Sequence, residues 1–228
     1  MSACALIDYG AGNLTSVKKA FAAIGVDIFV PRAPAELATA SAVVVPGVGH
    51  FSATRALAGD WTEAILERVG EGRPLLGICL GMHWLFEASD EAPDVPGLGV
   101  MGGTIVRLGN VRLKPDATDH ETHPDRGAAF SDRSVHLQVD VKVPHVGWNA
   151  LAICRDSPLV SGVDPGAQVY FSHSYAAPVT SETIAITEHG APFAAIVQRG
   201  QIAGVQFHPE KSGGAGLQIL RNFAELSR

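Results

Sequence analysis

The sequence predicts an α/β fold in which a largely parallel central sheet carries helices on both faces, with extra antiparallel strands in the C-terminal half. Three observations support this. Up to Pro93, short apolar runs alternate with segments of helical spacing, as in linked strand–helix units. These runs are rich in Val, Ile and Leu, which is typical of strands buried on both faces. Beyond Pro93, shorter strand-like runs are joined by Gly or Pro turns, which favours antiparallel pairing.

The elements of the first half can be assigned in chain order. In the first helical segment, Leu14, Val17 and Phe21 recur at helical spacing and form one apolar face. Gly25 is expected to end that helix. The predicted strands span 4–8, 27–30, 42–45 and 74–78, and the predicted helices span 13–24, 50–58, 61–69 and 80–88.

The second half has a different rhythm. Residues 110–134 are polar, rich in Asp, His, Arg and Pro, and have no clear period, which predicts a surface insertion. The strand-like runs after it are HLQVDV, AQVYFSHSY, TIAITEH, FAAIVQRG and IAGVQF, and a closing helix is predicted over 216–226. The 228 residues, 46% of them hydrophobic, contain no repeat or flexible linker, so 1–228 is interpreted as a single domain.

Composition argues against several classes of protein. A net charge of −6 is unlike that of a dedicated nucleic-acid binder, and no apolar run approaches the roughly 18 residues of a membrane span. The N-terminus lacks the features of a signal peptide, so a cytoplasmic location is expected. No cofactor or metal is predicted. Gly10-Ala11-Gly12 lacks the third glycine of a dinucleotide fingerprint, and the DHETH cluster at 119–123 lies in the polar insertion, where a solvated loop is the simpler interpretation.

The three cysteines are too widely spaced for a disulfide framework or a zinc pattern. Cys4 and Cys154 sit among apolar residues and are predicted to be buried strand residues.

Cys79 differs, because it stands between Gly77 and Gly81 where an apolar run turns into a helical pattern. Gly-x-Cys-x-Gly is the cysteine form of the nucleophile elbow, in which small neighbours permit a tight turn that presents the sulfur at a helix N-terminus. That location favours the thiolate, although a buried cysteine in an ordinary βα turn is the alternative.

A thiolate nucleophile usually needs a base and a group that orients the base. The segment IAGVQFHPEKS supplies both types of residue at the end of a strand-like run. His208 and Glu210 would share one face in extended backbone, and Pro209 disfavours helix at His208. Histidines are also common at strand ends for structural reasons, but together with Cys79 these residues form a coherent Cys–His–Glu triad.

Cleavage of an acyl bond also requires donors for an oxyanion. The Leu80 N–H, directly after the nucleophile, is one candidate. Gly47, Val48 and Gly49, in the PGVG turn after the 42–45 strand, offer further backbone N–H groups at a strand C-terminus, where doubly wound sheets bind ligands. An ordinary βα turn is the alternative for this loop.

With these pieces placed, the sequence resembles the class I, or triad-type, glutamine amidotransferases. GICLGM and GVQFHPEKS match the nucleophile and His-x-Glu motifs of that family, and the resemblance runs from about residue 6 to residue 223, interrupted by the insertion. DYGAGNL, PGVGHF, KVPHVGWN and FSHSY further resemble the glutaminase subunits of imidazole glycerol phosphate synthases. The resemblance implies a flavodoxin-like fold and glutamine hydrolysis by Cys79, His208 and Glu210.

The resemblance also implies a partner and further site residues. In this branch of the family, ammonia passes to a (β/α)8-barrel cyclase that forms imidazole glycerol phosphate and a carboxamide ribonucleotide in histidine biosynthesis. There the PGVG loop gates the oxyanion hole. The residues implied to line the glutamine pocket are His83, His173, Ser174 and Tyr175, and those implied to face the cyclase are Tyr9, Asn13, Trp148, Asn149 and Lys211.

His83 departs from the family, whose members usually carry Gln at that position. Histidine donates and accepts hydrogen bonds but is shorter and can become charged, so glutamine affinity or its pH dependence is expected to differ. The alternative is that His83 turns away on its helix and backbone contacts replace it. His173 and Tyr175 likewise have an alternative interpretation as ordinary strand residues with alternate faces.

Alternatives of two kinds, enzymatic and non-catalytic, remain open from the sequence. One is a free-standing cysteine hydrolase of γ-glutamyl or peptide bonds, or the glutaminase of a different synthase. The other is a non-catalytic binding module that kept the fold, against which the intact triad argues. Glutamate release by the chain alone distinguishes the enzymes, because a partner-dependent glutaminase is slow by itself and an independent hydrolase is fast.

Overall fold

A computed structural model describes residues 3–109 and 142–226 of the chain. The predicted polar insertion at 110–134, the cluster at 119–123 and the strand-like run at 136–141 lie outside the described residues. These three assignments therefore stay predictions.

Strands and helices alternate in the first half, as the sequence predicts. The strands are β1 (Cys4–Leu6), β2 (Ile28–Phe29), β3 (Ala42–Gly47), β4 (Leu75–Cys79), β5 (Phe86–Ser89), β6 (Met101–Arg107), β7 (His145–Ala150), β8 (Ala152–Ile153), β9 (Gln168–His173), β10 (Tyr175–Ala176), β11 (Thr183–His189), β12 (Ala191–Arg199) and β13 (Ile202–Val205). The α-helices are α1 (Leu14–Ala23), α2 (Asp60–Gly70), α3 (Leu80–Trp84) and α4 (Gly213–Glu225), and short 3₁₀ helices span Pro34–Thr39, Phe51–Leu57, Pro158–Val160 and Pro209–Lys211.

The central sheet combines a parallel half with an antiparallel half. Within the described residues its eight strands follow the order β2-β1-β3-β4-β13-β12-β11-β8. The pairs from β2 to β13 are parallel, and those from β13 to β8 are antiparallel. This confirms the predicted division of the sheet. Two smaller sheets, β10-β6-β5 and β7-β9, complete the strand pairing.

Both faces of the central sheet are covered. Val44 of β3 packs in a core cluster with Phe21 of α1 and Phe223 of α4. Its neighbours Val43 and Val45 pack in a second cluster that includes α2. Because successive strand side chains point to opposite faces, a strand covered on both sides has no polar alternation, which is the pattern of the AVVV run.

Helix α1 shows how local residues set the element boundaries. The Asn13 side chain caps the helix by accepting a hydrogen bond from the Ser16 N–H at 3.2 Å. Gly25 follows the helix at φ +73°, a backbone conformation that favours glycine. Val17 and Phe21 form the buried face between these ends.

Two local predictions are wrong. The helix predicted over 80–88 ends at Trp84, because the following residues form β5, which pairs in parallel with β6. Phe86 is fully buried there, so a distant strand partner overrides the helical spacing. Cys154 is exposed just beyond the short strand β8 rather than buried, whereas Cys4 is buried in β1 as predicted. Among the described helices, none has the length and apolar character needed to cross a membrane.

Candidate active site

Three strand ends meet at one edge of the central sheet. β3, β4 and β13 run parallel, so their carboxyl ends lie side by side. β3 ends at Gly47, which is paired with Cys79 at the end of β4. His208 follows shortly after Val205, the last residue of β13. The topology therefore brings the predicted nucleophile, the predicted base and the PGVG loop to the same edge.

The backbone at Cys79 has the strained geometry of a nucleophile elbow. Its φ of +53° and ψ of −104° are unusual for a residue with a side chain, and no other non-glycine residue in the described ranges has a positive φ. The turn is tight because a Cβ on Gly77 would lie 2.5 Å from the Gly81 carbonyl oxygen, and one on Gly81 would overlap the Val45 carbonyl oxygen. The flanking glycines are thus required sterically, as the sequence predicts.

This geometry makes Gly81→Ala a strongly destabilising change. The added methyl group would meet the rigid backbone of β3 rather than a flexible side chain, so we expect the free energy of unfolding to fall by about 3 kcal/mol. Urea unfolding measures the loss. Gly70→Ala is the matched control, because nothing lies within 4 Å of a Cβ at that position. Equal stability of the two variants would contradict the steric account.

His208 and Glu210 form a buried pair. The two side chains are each 3% exposed, and His208 Nδ1–H donates to Glu210 Oε1 at 2.9 Å. The prediction that His208 and Glu210 share one face of an extended backbone is wrong in part. His208 is extended, with φ −97° and ψ 97°, but Glu210 lies in the 3₁₀ turn Pro209–Lys211. The turn, rather than a continuous strand, brings the carboxylate back to the imidazole. Nε2 is then the ring nitrogen left for chemistry at the sulfur.

The surroundings of His208 favour its charged form. Burial alone would lower the pKa of His208, but interactions with the Cys79 sulfur and the Glu210 carboxylate outweigh it and raise the pKa to about 9. The Cys79 sulfur is thus close enough to the imidazole to favour its charged form, and Glu210 Oε2 is buried without a hydrogen-bond partner. At neutral pH the imidazole therefore carries a proton that it can give to a leaving group.

Cys79 opens into a pocket of about 240 Å³. Most of the predicted substrate and oxyanion residues line it: Val48, Gly49, Leu80, His83, His173, Ser174 and Tyr175. The remaining one, Gly47, does not line this pocket; a Cβ there would collide with the Tyr9 hydroxyl and the Leu80 side chain. Glu91, Pro144 and Ser172 also line the pocket and were not predicted. The Leu80 N–H belongs to the first turn of α3, where amides have no partner within the helix.

Gln206 is a further site residue that the sequence analysis missed. It is fully buried and connects two pocket side chains: its Oε1 accepts from His83 Nε2–H at 2.7 Å, and its Nε2 donates to Cys79 Sγ at 3.8 Å. Burial lowers the pKa of His83 to about 4, opposed by Gln206 and the Tyr175 backbone, so His83 is neutral at neutral pH. Gln206 lies two residues before His208, just beyond the end of β13, and in the sequence it is marked only as a polar residue within the apolar run IAGVQF.

Comparison with known proteins agrees with this arrangement. The family model described as glutamine amidotransferase class-I matches residues 5–226. The chain belongs to this family. Three curated relatives are each called imidazole glycerol phosphate synthase subunit HisH. The one from Deinococcus radiodurans is 40% identical and covers 96% of this chain and 91% of its own. The one from Methanothermobacter thermautotrophicus is 39% identical over 98% of both chains, and the one from Xanthomonas axonopodis pv. citri is 40% identical over 100% of this chain and 99% of its own.

Solved structures support the fold of this amidotransferase. A crystal structure of a glutamine amidotransferase has a TM-score of 0.65 at 19% identity and covers 98% of both chains. The structure of PurLQS from Thermotoga maritima has a TM-score of 0.67 at 13% identity and covers 99% of both chains. At these identities the similarity concerns the fold alone, and it confirms the predicted flavodoxin-like architecture.

In this amidotransferase, two of the residues predicted to face a partner lie next to the triad. Asn13 and Lys211 line a second, small cavity of about 20 Å³ together with Gly47, His208 and Glu210. The same cavity is also lined by Ile78, the residue before Cys79. Two residues that were predicted to face a partner therefore lie close to His208 and Glu210.

The other predicted partner residues lie in different environments. Trp148 is 56% exposed and packs edge-on against Tyr170, whose ring also carries Lys211 Nζ at 5.6 Å from its centroid. By contrast, the Tyr9 hydroxyl is buried without a hydrogen-bond partner, and a side chain on Gly47 would collide with it. Burial, followed by the charge of Cys79, raises the pKa of Tyr9. The hydroxyl of Tyr9 is thus internal rather than part of an open surface.

Proposed function

We propose that the chain hydrolyses glutamine to glutamate and ammonia, and that it does so as the glutaminase subunit of an imidazole glycerol phosphate synthase in histidine biosynthesis. One observation carries the proposal. A strained Cys79 opens into a pocket beside the buried His208–Glu210 pair. Relatives about 40% identical over nearly the whole chain, which bear the name of that synthase subunit, specify the pathway. The residues from 1 to 228 are proposed to act as a single domain, and the cytoplasmic location stays a prediction.

In the proposed reaction, Cys79 attacks the carbonyl carbon of the glutamine side chain as a thiolate. The carbon–nitrogen bond breaks while His208 gives its Nε2 proton to the leaving nitrogen, which departs as ammonia. Neutral His208 then takes a proton from water, and the resulting hydroxide attacks the γ-glutamyl thioester. The carbon–sulfur bond breaks, which releases glutamate and restores the thiolate and the imidazolium. Glu210 holds the Nδ1–H throughout and stabilises the charge on the ring.

The oxyanion formed in each step needs two donors. The Leu80 N–H is proposed as the first, because it follows the nucleophile in the elbow. The loop from Gly47 to Gly49 is proposed to supply the second and to gate catalysis by turning one of its peptide groups. Gly49 has a φ of +112°, which is open to glycine and strained for other residues. Because glycine also populates negative φ readily, a peptide rotation at Gly49 is sterically allowed.

A cyclase subunit with a (β/α)8 barrel is the proposed partner, in a heterodimer that receives the ammonia. The surface around Trp148, Tyr170 and Lys211 suits docking, because an exposed indole beside a cation is typical of interface centres. Asn13 and Lys211 border the small cavity lined by His208 and Glu210, which supports a docking face next to the site where ammonia is released. Tyr9 and Asn149 are proposed to act at this face through their neighbours rather than through open side chains.

The decisive experiment is a glutaminase assay with and without the cyclase. We expect the chain alone to release glutamate slowly and the rate to rise about tenfold or more when the cyclase and its nucleotide ligand are added, as for sites coupled by a few kcal/mol. Cyclase without its ligand is the control. A fast rate in the chain alone would instead identify a free-standing hydrolase.

A further inference from the structure

A chain of hydrogen bonds runs from β7 to the wall of the pocket. Asn149 Nδ2 lies 3.3 Å from His145 Nε2, and His145 Nδ1 lies 3.1 Å from His173 Nε2. His173 Nδ1 lies 2.8 Å from the carbonyl oxygen of Tyr175. The two histidines face each other across the β7–β9 pair and are 4% and 6% exposed. Of the residues in this hydrogen-bond chain, only His173 and Tyr175 line the pocket, and the reaction described above gives Asn149 and His145 no role.

Both ends of the chain have a fixed polarity. The Tyr175 carbonyl can only accept a hydrogen bond, so His173 Nδ1 must carry a proton. At the other end, Asn149 Oδ1 accepts from the Ala150 N–H at 2.8 Å, and Asn149 Nδ2 donates to the Glu188 carbonyl at 2.9 Å. These two bonds orient the amide without reference to His145. The group that faces His145 Nε2 is therefore a donor.

We propose that His145 and His173 are both neutral with their protons on Nδ1, and that Asn149, His145 and His173 are positioning residues for the pocket segment at 173–175. Asn149 then donates to His145, His145 donates to His173, and His173 donates to the Tyr175 carbonyl. Every donor meets an acceptor in this arrangement. One more proton on either ring would set two N–H groups against each other, and the opposite tautomers would leave His173 without a proton for Tyr175.

The surroundings of the two rings agree with neutrality. Burial first, and then the nearby His189, lowers the pKa of His145 to about 4, and burial also holds the pKa of His173 well below its usual range. His145 stacks between Phe171, at 4.7 Å, and His189, at 4.1 Å between ring centroids. His189 Nε2 lies 2.8 Å from the Lys142 carbonyl oxygen, so it is the donor there.

The position of this hydrogen-bond chain gives its residues a role in shaping the pocket, and this role rests on the proposed glutaminase activity. His173 and Tyr175 form the pocket wall that faces Cys79. On the other side of β7, Val146 and Trp148 are more than half exposed, so the strand carries the hydrogen-bonded residues on one side and an open surface on the other. Two imidazole rings therefore link β7 to the Tyr175 carbonyl, and their hydrogen bonds add to the pairing of β10 with β6 in holding this part of the pocket wall.

Nuclear magnetic resonance of histidine-labelled protein tests the proton arrangement directly. In the ¹⁵N-labelled wild type at neutral pH, we expect His145 and His173 each to show a protonated Nδ1 and an unprotonated Nε2. An Nε2–H tautomer or an imidazolium at either residue would overturn the proposal. This measurement does not depend on any enzymatic activity.

The positioning role is tested with a matched pair of variants, His145→Asn and His145→Asp. Both remove the ring and its stacking, but the asparagine amide can still donate to His173 Nε2 whereas the carboxylate can only accept. We expect His173 Nε2 to become protonated only in His145→Asp, and the KM for glutamine to be about tenfold higher in that variant than in His145→Asn, with a smaller change in kcat.

The outcomes separate the positioning role from the proposed function. Equal KM values in the two variants, with the expected tautomers in the wild type, would overturn the positioning role. A wild type without glutaminase activity in the presence of the cyclase and its ligand would overturn the proposed function and the positioning role that rests on it, whatever the tautomers. Nδ1 protonation together with a KM difference between the variants would support both.

Discussion

Cys79→Ala is expected to abolish synthesis from glutamine and to leave synthesis from added ammonium salt unchanged. The substitution removes the nucleophile, while alanine has no atom beyond Cβ to disturb the elbow or the docking surface. Loss of a catalytic nucleophile lowers kcat by a factor on the order of 10⁴ or more. Ammonium salt bypasses the missing step, because the cyclase consumes ammonia rather than glutamine. The measurement is product formation by the assembled synthase with each nitrogen source.

Cys154→Ala is the control for this experiment. That thiol is exposed, lies beyond β8 and does not line the pocket, and its S–H donates only to backbone carbonyls. We expect both activities to be retained. If Cys79→Ala loses the ammonium-dependent reaction as well, the glutaminase and synthase sites are not separate, and the proposed division of labour is wrong.

The elbow could be predicted from the sequence because it requires small residues at fixed positions on either side of the cysteine. Gly77 and Gly81 are needed where the chain folds back on itself and on β3, and small residues at those positions are visible in the sequence. The alternation of apolar runs and helical spacing likewise depends on burial of each element against the sheet. The parallel half of the fold and the nucleophile could therefore be predicted from a single sequence.

Features set by distant partners could not be predicted in the same way. The residues after Trp84 have helical spacing, but they form a strand because they pair with β6. Gln206 acquires its role only when β13 is paired with β4, which places its amide between His83 and Cys79. The hydrogen-bond chain through His145 depends on the pairing of β7 with β9. In each case the sequence shows the residue type, and strand pairing decides its neighbours.

Some buried histidines have a lowered pKa and another has a raised pKa, and together they predict a maximum of the unfolding free energy near pH 6.5. The folded protein holds the pKa of His83 and of His145 at about 4, below the ordinary 6.5. Between these values the unfolded chain binds more protons, so the stabilisation present above pH 6.5 is lost as the pH falls toward 4. His208 behaves in the opposite sense: its pKa is raised to about 9, so its contribution is complete below pH 6.5 and is lost as the pH rises toward 9.

The acid side is expected to show the larger effect. A shift of one pKa unit corresponds to about 1.4 kcal/mol, so His83 accounts for about 3 kcal/mol between pH 6.5 and 4, and His145 adds a smaller amount because solvent screens it more. Together they are a large part of the free energy of unfolding of a typical domain, roughly 5–15 kcal/mol. We therefore expect urea unfolding midpoints to fall steeply below pH 6, with loss of the fold near pH 4.

His83→Gln is the informative variant, because glutamine can still donate to Gln206 but does not titrate. The slope of unfolding free energy against pH should decrease by about one proton in this range. A slope equal to that of the wild type would show that the buried His83 is not held neutral by the fold.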